Sequence, residues 1–296
     1  MEAQGAIYTA TDKNCRTVQV GTMRAAMLEY SFDVYPEPDG QIHRFKGPDD
    51  KRHNGWYICD SDHGAFGNWK SGVVVKWSKR GKLTDQERCD LDQQIRKQRQ
   101  ARHKEREQKQ QAAAVKAMKL WQQAKPASSH PYLNRKQVQP HGIRQSGDAL
   151  IIPMYRDREL RSVQRIFPTG QKRFLKDGDT CATYYPIGQL NGRLWIAEGF
   201  ATSASIYEVT GNAVACAFSG INMTKVAKSF RKQYPDLDIR IAGDNGGEKY
   251  TDEAMIACLG KAAIPIFDEG DEGSDWNDFF CLYGREITRE NLNAGI

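Results

Sequence analysis

The chain lacks the sequence features of several protein classes. Its seven cysteines, at positions 15, 59, 89, 181, 216, 258 and 281, include no C-x-x-C pair. This wide spacing argues against a disulfide framework and a structural zinc site, and it favours a reducing compartment. No run of 18 apolar residues exists, and the N-terminus has no signal-peptide layout. We therefore expect a soluble, cytoplasmic protein with no membrane partner.

Charge is distributed unevenly along the 296 residues, a length that predicts one large or two modest domains. Segment 79–125 carries 14 basic and 6 acidic residues, whereas segment 186–296 carries 10 basic and 16 acidic residues. A metal-binding acidic half beside a basic segment that attracts phosphates suits a nucleic-acid enzyme. A charge run alone is about as often a solvated helix face, so both interpretations stay open.

Residues 1–80 predict a small antiparallel β unit. Short apolar runs separated by turn residues lie at 31–34, 41–45, 55–59 and 73–77, which is the pattern of hairpins. Trp56, Trp69 and Trp77 are candidates to stack on unpaired bases. A unit this small also needs aromatic side chains for its core. We therefore expect at least two of the three tryptophans to be buried.

Residues 81–127 predict a long charged helix that connects two folded parts. Thr84 and Glu87 have the spacing of a capping box, and few apolar residues follow before Val115. Most of this helix therefore cannot be buried, so it is either a spacer or an arm along nucleic acid. Its basic residues cluster at Arg96, Lys97, Arg99, Arg102, Lys104 and Arg106. We expect a connector that also contributes charge, and we expect a chain beginning near Ala127 to fold without it.

The remaining residues predict an α/β architecture in a chain that is α+β overall. Residues 128–190 contain apolar strands and basic turns, which indicate a small β-rich subdomain. In residues 191–296, apolar strand-like runs alternate regularly with helical segments. Such alternation predicts a mostly parallel sheet with helices on both faces.

Three acidic motifs follow strand-like runs in residues 191–296. Glu198-Gly199 ends the first run, Gly243-Asp244-Asn245 ends another, and Asp275-Trp276-Asn277-Asp278 follows the last. In an open parallel sheet, ligands bind at the carboxyl ends of the strands. Carboxylates placed there can surround a hard divalent cation that a phosphate also contacts. The pattern therefore predicts phosphoryl-transfer chemistry.

In order and spacing, these motifs resemble the signature motifs of the Toprim domain, in the form found in primases of plasmids and phages and related to bacterial DnaG-like primases. The resemblance implies a Rossmann-like sheet preceded by a primase-core subdomain. It implies that Glu198, Asp244 and Asp275 are catalytic and bind Mg²⁺ or Mn²⁺ together with Asp278. Gly246 stands where the family has a second aspartate, so Glu248 and Asp252 are alternative ligands from the same loop.

The same resemblance suggests how nucleic acid and nucleotide would bind. In primase cores, the basic strands and turns before the sheet hold template and nucleotide phosphates, a role that suits guanidinium and ammonium groups. The candidates here are Arg144, Arg165, Lys172, Arg173 and Lys176. The N-terminal unit resembles the primase zinc ribbon in position only, because Cys59, His43, His53 and His63 lack paired ligand spacing. We therefore expect no zinc.

Our first functional hypothesis is a DNA primase that synthesises short RNA primers from ribonucleoside triphosphates on a single-stranded DNA template. The first alternative is a single-stranded DNA-binding protein in which the metal site is weakened or inactive, which Gly246 favours. The second is a Toprim nuclease, which would share the metals. The chain has no G-x-x-x-x-G-K-[ST] loop, so any unwinding would need a separate replicative helicase as partner.

Overall fold

The structure, a computed structural model, describes residues 5–9, 18–20, 22–81 and 83–294. It divides into two compact units, Met1–Glu105 and Arg106–Ile296. The four-part division predicted above, with boundaries near residues 80, 127 and 190, is finer and stays a prediction. Among the helices of the described residues, none is both long and apolar enough to cross a bilayer.

A six-stranded antiparallel sheet forms most of the first unit, in the spatial order β2-β1-β6-β5-β4-β3. A short helix, α1, packs on it. In chain order the elements are β1 (Gly5–Thr9), β2 (Val18–Val20), α1 (Met23–Leu28), β3 (His43–Phe45), β4 (Gly55–Cys59), β5 (His63–Asn68) and β6 (Val74–Ser78). The predicted antiparallel β unit is therefore present.

The core of this unit contains two of the three tryptophans, as predicted. Trp56 and Trp77 are buried, whereas Trp69 is 43% exposed. The predicted run at 31–34 is not a strand, because the chain turns there after α1, with a left-handed φ of 59° at Ser31. Conversely, β5 was not predicted, since its glycines hide the strand pattern. At Gly67 a Cβ would lie 2.2 Å from the Val73 carbonyl oxygen, so the close strand pairing requires glycine.

The side chains considered for a zinc site contact other groups. Cys59 donates to the Glu37 carbonyl oxygen at 3.5 Å, and burial raises the pKa of its thiol to about 11. His43 Nε2 lies 3.0 Å from the Asp39 carboxylate, and His63 Nδ1 lies 3.0 Å from Asp60. The expectation of no zinc stays a prediction.

The long helix α2 (Asp85–Gln123) begins with the predicted capping box. Thr84 Oγ1 accepts from the Glu87 N–H at 3.2 Å, and Glu87 Oε2 accepts from the Thr84 N–H at 2.7 Å. Most of the helix is exposed, as predicted, but Leu91 and Ile95 in its first turns pack on Trp56 of the first sheet. Residues 99–109 are exposed. Two well-spaced apolar residues were enough to bury the start of the helix.

The second unit begins with the end of α2 and a five-stranded antiparallel sheet in the order β11-β10-β9-β8-β7. Ala117 of α2 and Ala124, the residue directly after the helix, pack on Ile151 and Val163 of this sheet. A chain beginning near Ala127 would lose this cover, so we move the expected boundary of an independently folding part to Arg106. The elements are β7 (Lys125–Pro126), α3 (Pro131–Lys136), β8 (Arg144–Ser146), β9 (Ala149–Arg156), β10 (Glu159–Ile166) and β11 (Lys172–Phe174).

The rest of the second unit is a five-stranded sheet in the order β12-β14-β13-β15-β16. Four of its strands are parallel, and β12 pairs antiparallel at one edge. The elements are β12 (Tyr185–Ile187), β13 (Arg193–Ala197), α4 (Phe200–Thr210), β14 (Ala213–Cys216), α5 (Gly220–Gln233), β15 (Asp238–Ala242), α6 (Glu248–Cys258), β16 (Lys261–Ala263) and α7 (Trp276–Ala294). The predicted fold class, a mostly parallel α/β sheet, is confirmed. The edge strand β12 and the helix α7 were not predicted.

Candidate metal centre and nucleic-acid site

The first two acidic motifs meet at one edge of the parallel sheet. Strands β13 and β15 are parallel neighbours, and Ala197 pairs with Ala242 in register. Glu198 and Asp244 therefore leave the same edge, one and two residues beyond this pair. At Gly220, the first residue of α5, an added Cβ would lie 3.1 Å from Glu198 Oε2. The absence of a side chain at Gly220 leaves room for the Glu198 carboxylate.

The third motif is held at this edge by the start of α7. The buried Trp276 side chain donates from Nε1 to the carbonyl oxygen of Ala263, the last residue of β16, at 3.3 Å. Asp275 Oδ1 accepts from the Asn277 N–H at 2.8 Å and from the Asp278 N–H at 2.9 Å. Asp275 thus caps α7, because its side chain satisfies backbone donors of the first turn. The helix start brings Asp275 and Asp278 together at the sheet edge.

Asp244 is the electrostatically strained member of this acidic cluster, which we define as Glu198, Asp244, Asp275 and Asp278. Its Oδ1 atom is buried and has no hydrogen-bond partner in the structure. Burial, followed by the charges of Asp275 and Glu198, raises the pKa of Asp244 to about 7. Crowded carboxylates behave in this way when no cation balances them.

A lysine outside the predicted candidates contacts the cluster. Lys136, at the end of α3, places Nζ 2.8 Å from Asp278 Oδ1. Burial acts to lower the pKa of Lys136, but Asp278 and Asp275 raise it overall. Burial acts to raise the pKa of Asp278, but the Lys136 ammonium and the Ser274 N–H hold it below its ordinary value. Both groups are therefore charged at neutral pH.

A cavity of about 270 Å³ adjoins Asp275. Its basic lining comes from Arg135, Lys136 and Lys172. Lys172 Nζ lies 3.4 Å from the position that a Cβ on Gly199 would occupy, so this ammonium stands beside the loop that follows Glu198. The cavity thus joins three cationic side chains to the acidic cluster. This is an arrangement that can hold phosphate groups next to a metal ion.

Lys172 is the one of the five predicted basic residues that lines this cavity. In the antiparallel pairing of β10 with β11, Lys172 lies opposite Ile166 and Arg173 lies opposite Arg165. Because successive side chains of a strand point to opposite faces, Arg165 and Arg173 lie on the face away from Lys172.

The other two predicted basic residues lie elsewhere in the second unit. Arg144 donates to the Trp121 carbonyl oxygen at 2.8 Å and lies 4.4 Å above the Trp121 ring. It therefore fastens the end of α2 to the antiparallel sheet. Lys176 is exposed beyond β11. The phosphate-binding roles of Arg144, Arg165, Arg173 and Lys176 stay predictions.

The loop after Asp244 does not present a second acid to the cluster. Gly246 has a left-handed φ of 80°, and its N–H donates to Glu248 Oε1 at 2.8 Å. This hydrogen bond lowers the pKa of Glu248. Glu248 and Asp252 are both exposed. The carboxylates whose charges raise the pKa of Asp244 are Glu198, Asp275 and Asp278, so the alternative ligands do not take the place of the missing aspartate in this conformation.

Comparison with known proteins gives the family. The model of the Toprim domain matches residues 193–286, which include all four acidic residues. A DNA primase TraC of Escherichia coli is 31% identical over 264 residues, covering 80% of this chain and 25% of the relative. The chain contains a Toprim domain and is related to DNA primases. The resemblance predicted from the three motifs is therefore confirmed.

Further relatives extend this comparison. A second DNA primase TraC of Escherichia coli is 30% identical over 261 residues, covering 79% of this chain and 18% of the relative. The chain thus spans a quarter or less of the length of these two relatives. Among solved structures, the primase fragment of the bacteriophage T7 primase-helicase aligns with a TM-score of 0.44 at 11% identity, covering 58% of this chain and 76% of that one.

Proposed function

We propose that the chain synthesises short RNA primers on single-stranded DNA by metal-dependent nucleotidyl transfer. The observation that carries this proposal is the buried, unpartnered Oδ1 of Asp244, which lies among three other carboxylates at the carboxyl edge of a parallel sheet. The similarity to proteins named DNA primase supports the choice of reaction. Ribonucleoside triphosphates and a single-stranded template are then the substrates.

The acidic cluster fits a hard divalent cation. A buried carboxylate oxygen without a donor is a group that Mg²⁺ or Mn²⁺ satisfies, since both prefer oxygen ligands. Glu198, Asp244, Asp275 and Asp278 would hold the ions. Asp275 would bind an ion through the oxygen that does not cap α7. Asp278 would bind an ion while it remains paired with the Lys136 ammonium. When bound, such ions activate the attacking 3′-hydroxyl and stabilise the leaving oxygen.

The cavity beside the cluster would receive the phosphates of the incoming nucleotide. Arg135, Lys136 and Lys172 supply three cations around about 270 Å³. This volume is just below the range of about 300–1,000 Å³ that is usual for a whole small-molecule ligand. It therefore suits the triphosphate, with the base and sugar outside. Arg135 is positioned by its donation to the Pro168 carbonyl oxygen at 3.1 Å.

A second candidate function is single-strand binding without chemistry, which Gly246 favours. With one carboxylate fewer than the Toprim pattern, the cluster would bind a second metal ion more weakly. A nuclease would use the same ions and differ in having no requirement for ribonucleotides. All three functions use DNA, and primer synthesis separates the first from the other two.

The test is primer synthesis with labelled ribonucleotides on single-stranded DNA, with and without Mg²⁺ or Mn²⁺. We expect Glu198→Gln and Asp244→Asn each to abolish synthesis while preserving strand binding. The matched control is Glu248→Gln, which changes an exposed carboxylate of the same region and keeps an oxygen for the Gly246 N–H. Full activity of either cluster variant would overturn the metal site. Strand binding by a wild-type protein that makes no primers would favour the second candidate.

A further inference from the structure

A larger cavity, of about 520 Å³, lies in the second unit at the far end of α5 from Glu198. We call it the α5 cavity. It is lined by the turn between β9 and β10, by residues 182–184 and by the C-terminal end of α5. Helix α5 begins at Gly220, beside Glu198, and ends at Gln233. At a rise of about 1.5 Å per residue, the cavity lies about 20 Å from the acidic cluster.

The walls of the α5 cavity are fixed by hydrogen bonds. Tyr155 and Tyr184 exchange two backbone hydrogen bonds, each of 2.9 Å, which join the β9 end to residues 182–184. The buried Asn222 of α5 accepts from the Ala182 N–H at 2.7 Å and donates to the Thr183 carbonyl oxygen at 2.8 Å. The three parts of the wall are therefore tied to one another, and the cavity is a built feature of the unit.

The lining combines aromatic rings with cations. The Tyr184 and Phe230 rings lie 4.9 Å apart, and the Phe230 and Tyr234 rings stack at 6.2 Å with an angle of 24°. Tyr234 is 36% exposed at the rim. Arg158 and Lys232 are exposed, and neither makes an ion pair with any residue in the described part of the chain. Rings at the rim and free cations together suit a base that carries phosphates.

The backbone at Arg158 is strained, which is a second indication of a binding role. Asp157 and Arg158 are the two central residues of the β9–β10 hairpin, with φ values of 51° and 65°. This turn is most easily formed by Asn-Gly, because both positions require positive φ. Arginine is uncommon there. The fold accepts this cost and places a cationic side chain at the cavity.

We propose that the α5 cavity binds one nucleotide of a single strand, with the base on Tyr234 and the flanking phosphates on Arg158 and Lys232. Lys225 lies seven residues before Lys232 on the same face of α5 and extends the basic surface toward Glu198. The choice of a single strand as the ligand rests on the proposed function. The residues that would bind it in the α5 cavity are not part of the metal site.

The test is fluorescence anisotropy of a labelled oligothymidine of about 20 nucleotides, titrated with the full protein at several salt concentrations. For Arg158→Asn with Lys232→Gln, we expect weaker binding and a salt slope reduced by about 1.4, since each phosphate contact on a single strand contributes about 0.7. For Tyr234→Ala we expect about tenfold weaker binding, because a stacked base is lost, while Tyr234→Phe keeps the affinity. Lys261→Gln, at an exposed lysine of β16 that does not line the cavity, is the matched control.

Three outcomes decide the proposal. Unchanged affinity and salt slope in the cavity variants would overturn it. A cavity that binds a fluorescent ATP analogue, with strand binding unaffected by the same substitutions, would also overturn it, since the ligand would then be a free nucleotide. Glu198→Gln separates this proposal from the proposed function. If the wild type makes no primers, yet the cavity variants lose strand binding that Glu198→Gln retains, the cavity stands and the primase does not.

Discussion

Replacing Asp244 by Asn should stabilise the metal-free protein at alkaline pH, although it would remove a ligand of the proposed metal site. In the folded chain Asp244 must ionise beside Glu198 and Asp275 with one oxygen unpartnered. Asparagine has nearly the same shape and carries no charge. The substitution therefore removes the electrostatic cost of folding, and it does so only at a pH where Asp244 is ionised.

The size of the effect follows from the pKa. The ordinary pKa of aspartate is about 4, and that of Asp244 in the fold is about 7. At about 1.4 kcal/mol for each pKa unit, ionising Asp244 costs up to about 4 kcal/mol more in the folded protein than in the unfolded chain. Relaxation of the site and water penetration reduce this to about 2–3 kcal/mol. Because the folded pKa is the higher one, the wild type loses this stability as pH rises from about 4 to about 7.

The assay is thermal unfolding in a chelating buffer at pH 5 and pH 8. At pH 8 we expect Asp244→Asn to raise the melting temperature of the second unit by about 4–12 °C, at about 2–4 °C per kcal/mol for a unit of this size. At pH 5 the gain should shrink, since Asp244 is then protonated in the fold. Added Mg²⁺ should stabilise the wild type and not the variant.

The control is Asp252→Asn, which removes an exposed carboxylate of α6 and should leave the pH dependence unchanged. A variant that is less stable than the wild type at pH 8, or one with the same pH dependence, would refute the reasoning. Either result would mean that Asp244 has a donor that holds its charge without a metal.

Three further predictions concern the cluster, the cavity beside it and the domain boundary. Gly246→Asp should tighten Mg²⁺ binding, measured by calorimetric titration. Because φ at this position is positive, the substitution should also destabilise the fold by about 1 kcal/mol. Unchanged binding would mean that the existing carboxylates already supply the ligands that Mg²⁺ needs. Lys172→Ala should raise the KM for ribonucleotides, measured by steady-state primer synthesis, more than Arg173→Ala does, because only Lys172 of the two lines the cavity. Equal effects of the two substitutions on KM would contradict the assignment of Lys172 to this cavity. A protein beginning at Arg106 should stay folded and bind Mg²⁺. One beginning at Ala127 should melt at a lower temperature, because α2 no longer covers Ile151 and Val163. Equal melting temperatures would show that this helix does not stabilise the second unit.

The parts of the fold that could be predicted from the sequence depend on short-range patterns. The capping box at Thr84 lies within one helical turn, and the strands that end before Glu198 and Asp244 are short, mostly apolar runs. Their order along the chain is sufficient to place both acids at one sheet edge, because parallel strands share their carboxyl ends. These features need no knowledge of distant contacts, so a single sequence reveals them.

The parts that were missed depend on contacts between distant residues. Lys136 meets Asp278 across 142 positions, and nothing in a short basic helix indicates an acidic partner so far along the chain. The sequence shows few apolar residues in α2 before Val115 and does not indicate which of them are buried, yet Leu91 and Ile95, four residues apart, pack against Trp56. Whether a sparse apolar face is buried depends on the partner surface, which periodicity alone does not reveal.

If the proposed metal site is correct, Asp275 has two tasks, and they limit which residues can replace it. One oxygen caps the first turn of α7 through the Asn277 and Asp278 N–H groups, and the other would bind a cation. Asparagine would keep the cap and discard the charge, whereas glutamate would keep the charge on a side chain too long for the cap. Neither substitution preserves both tasks. A substitution at position 275 is therefore expected to disturb either the start of α7 or the charge of the cluster, even when the new residue is chemically similar to aspartate.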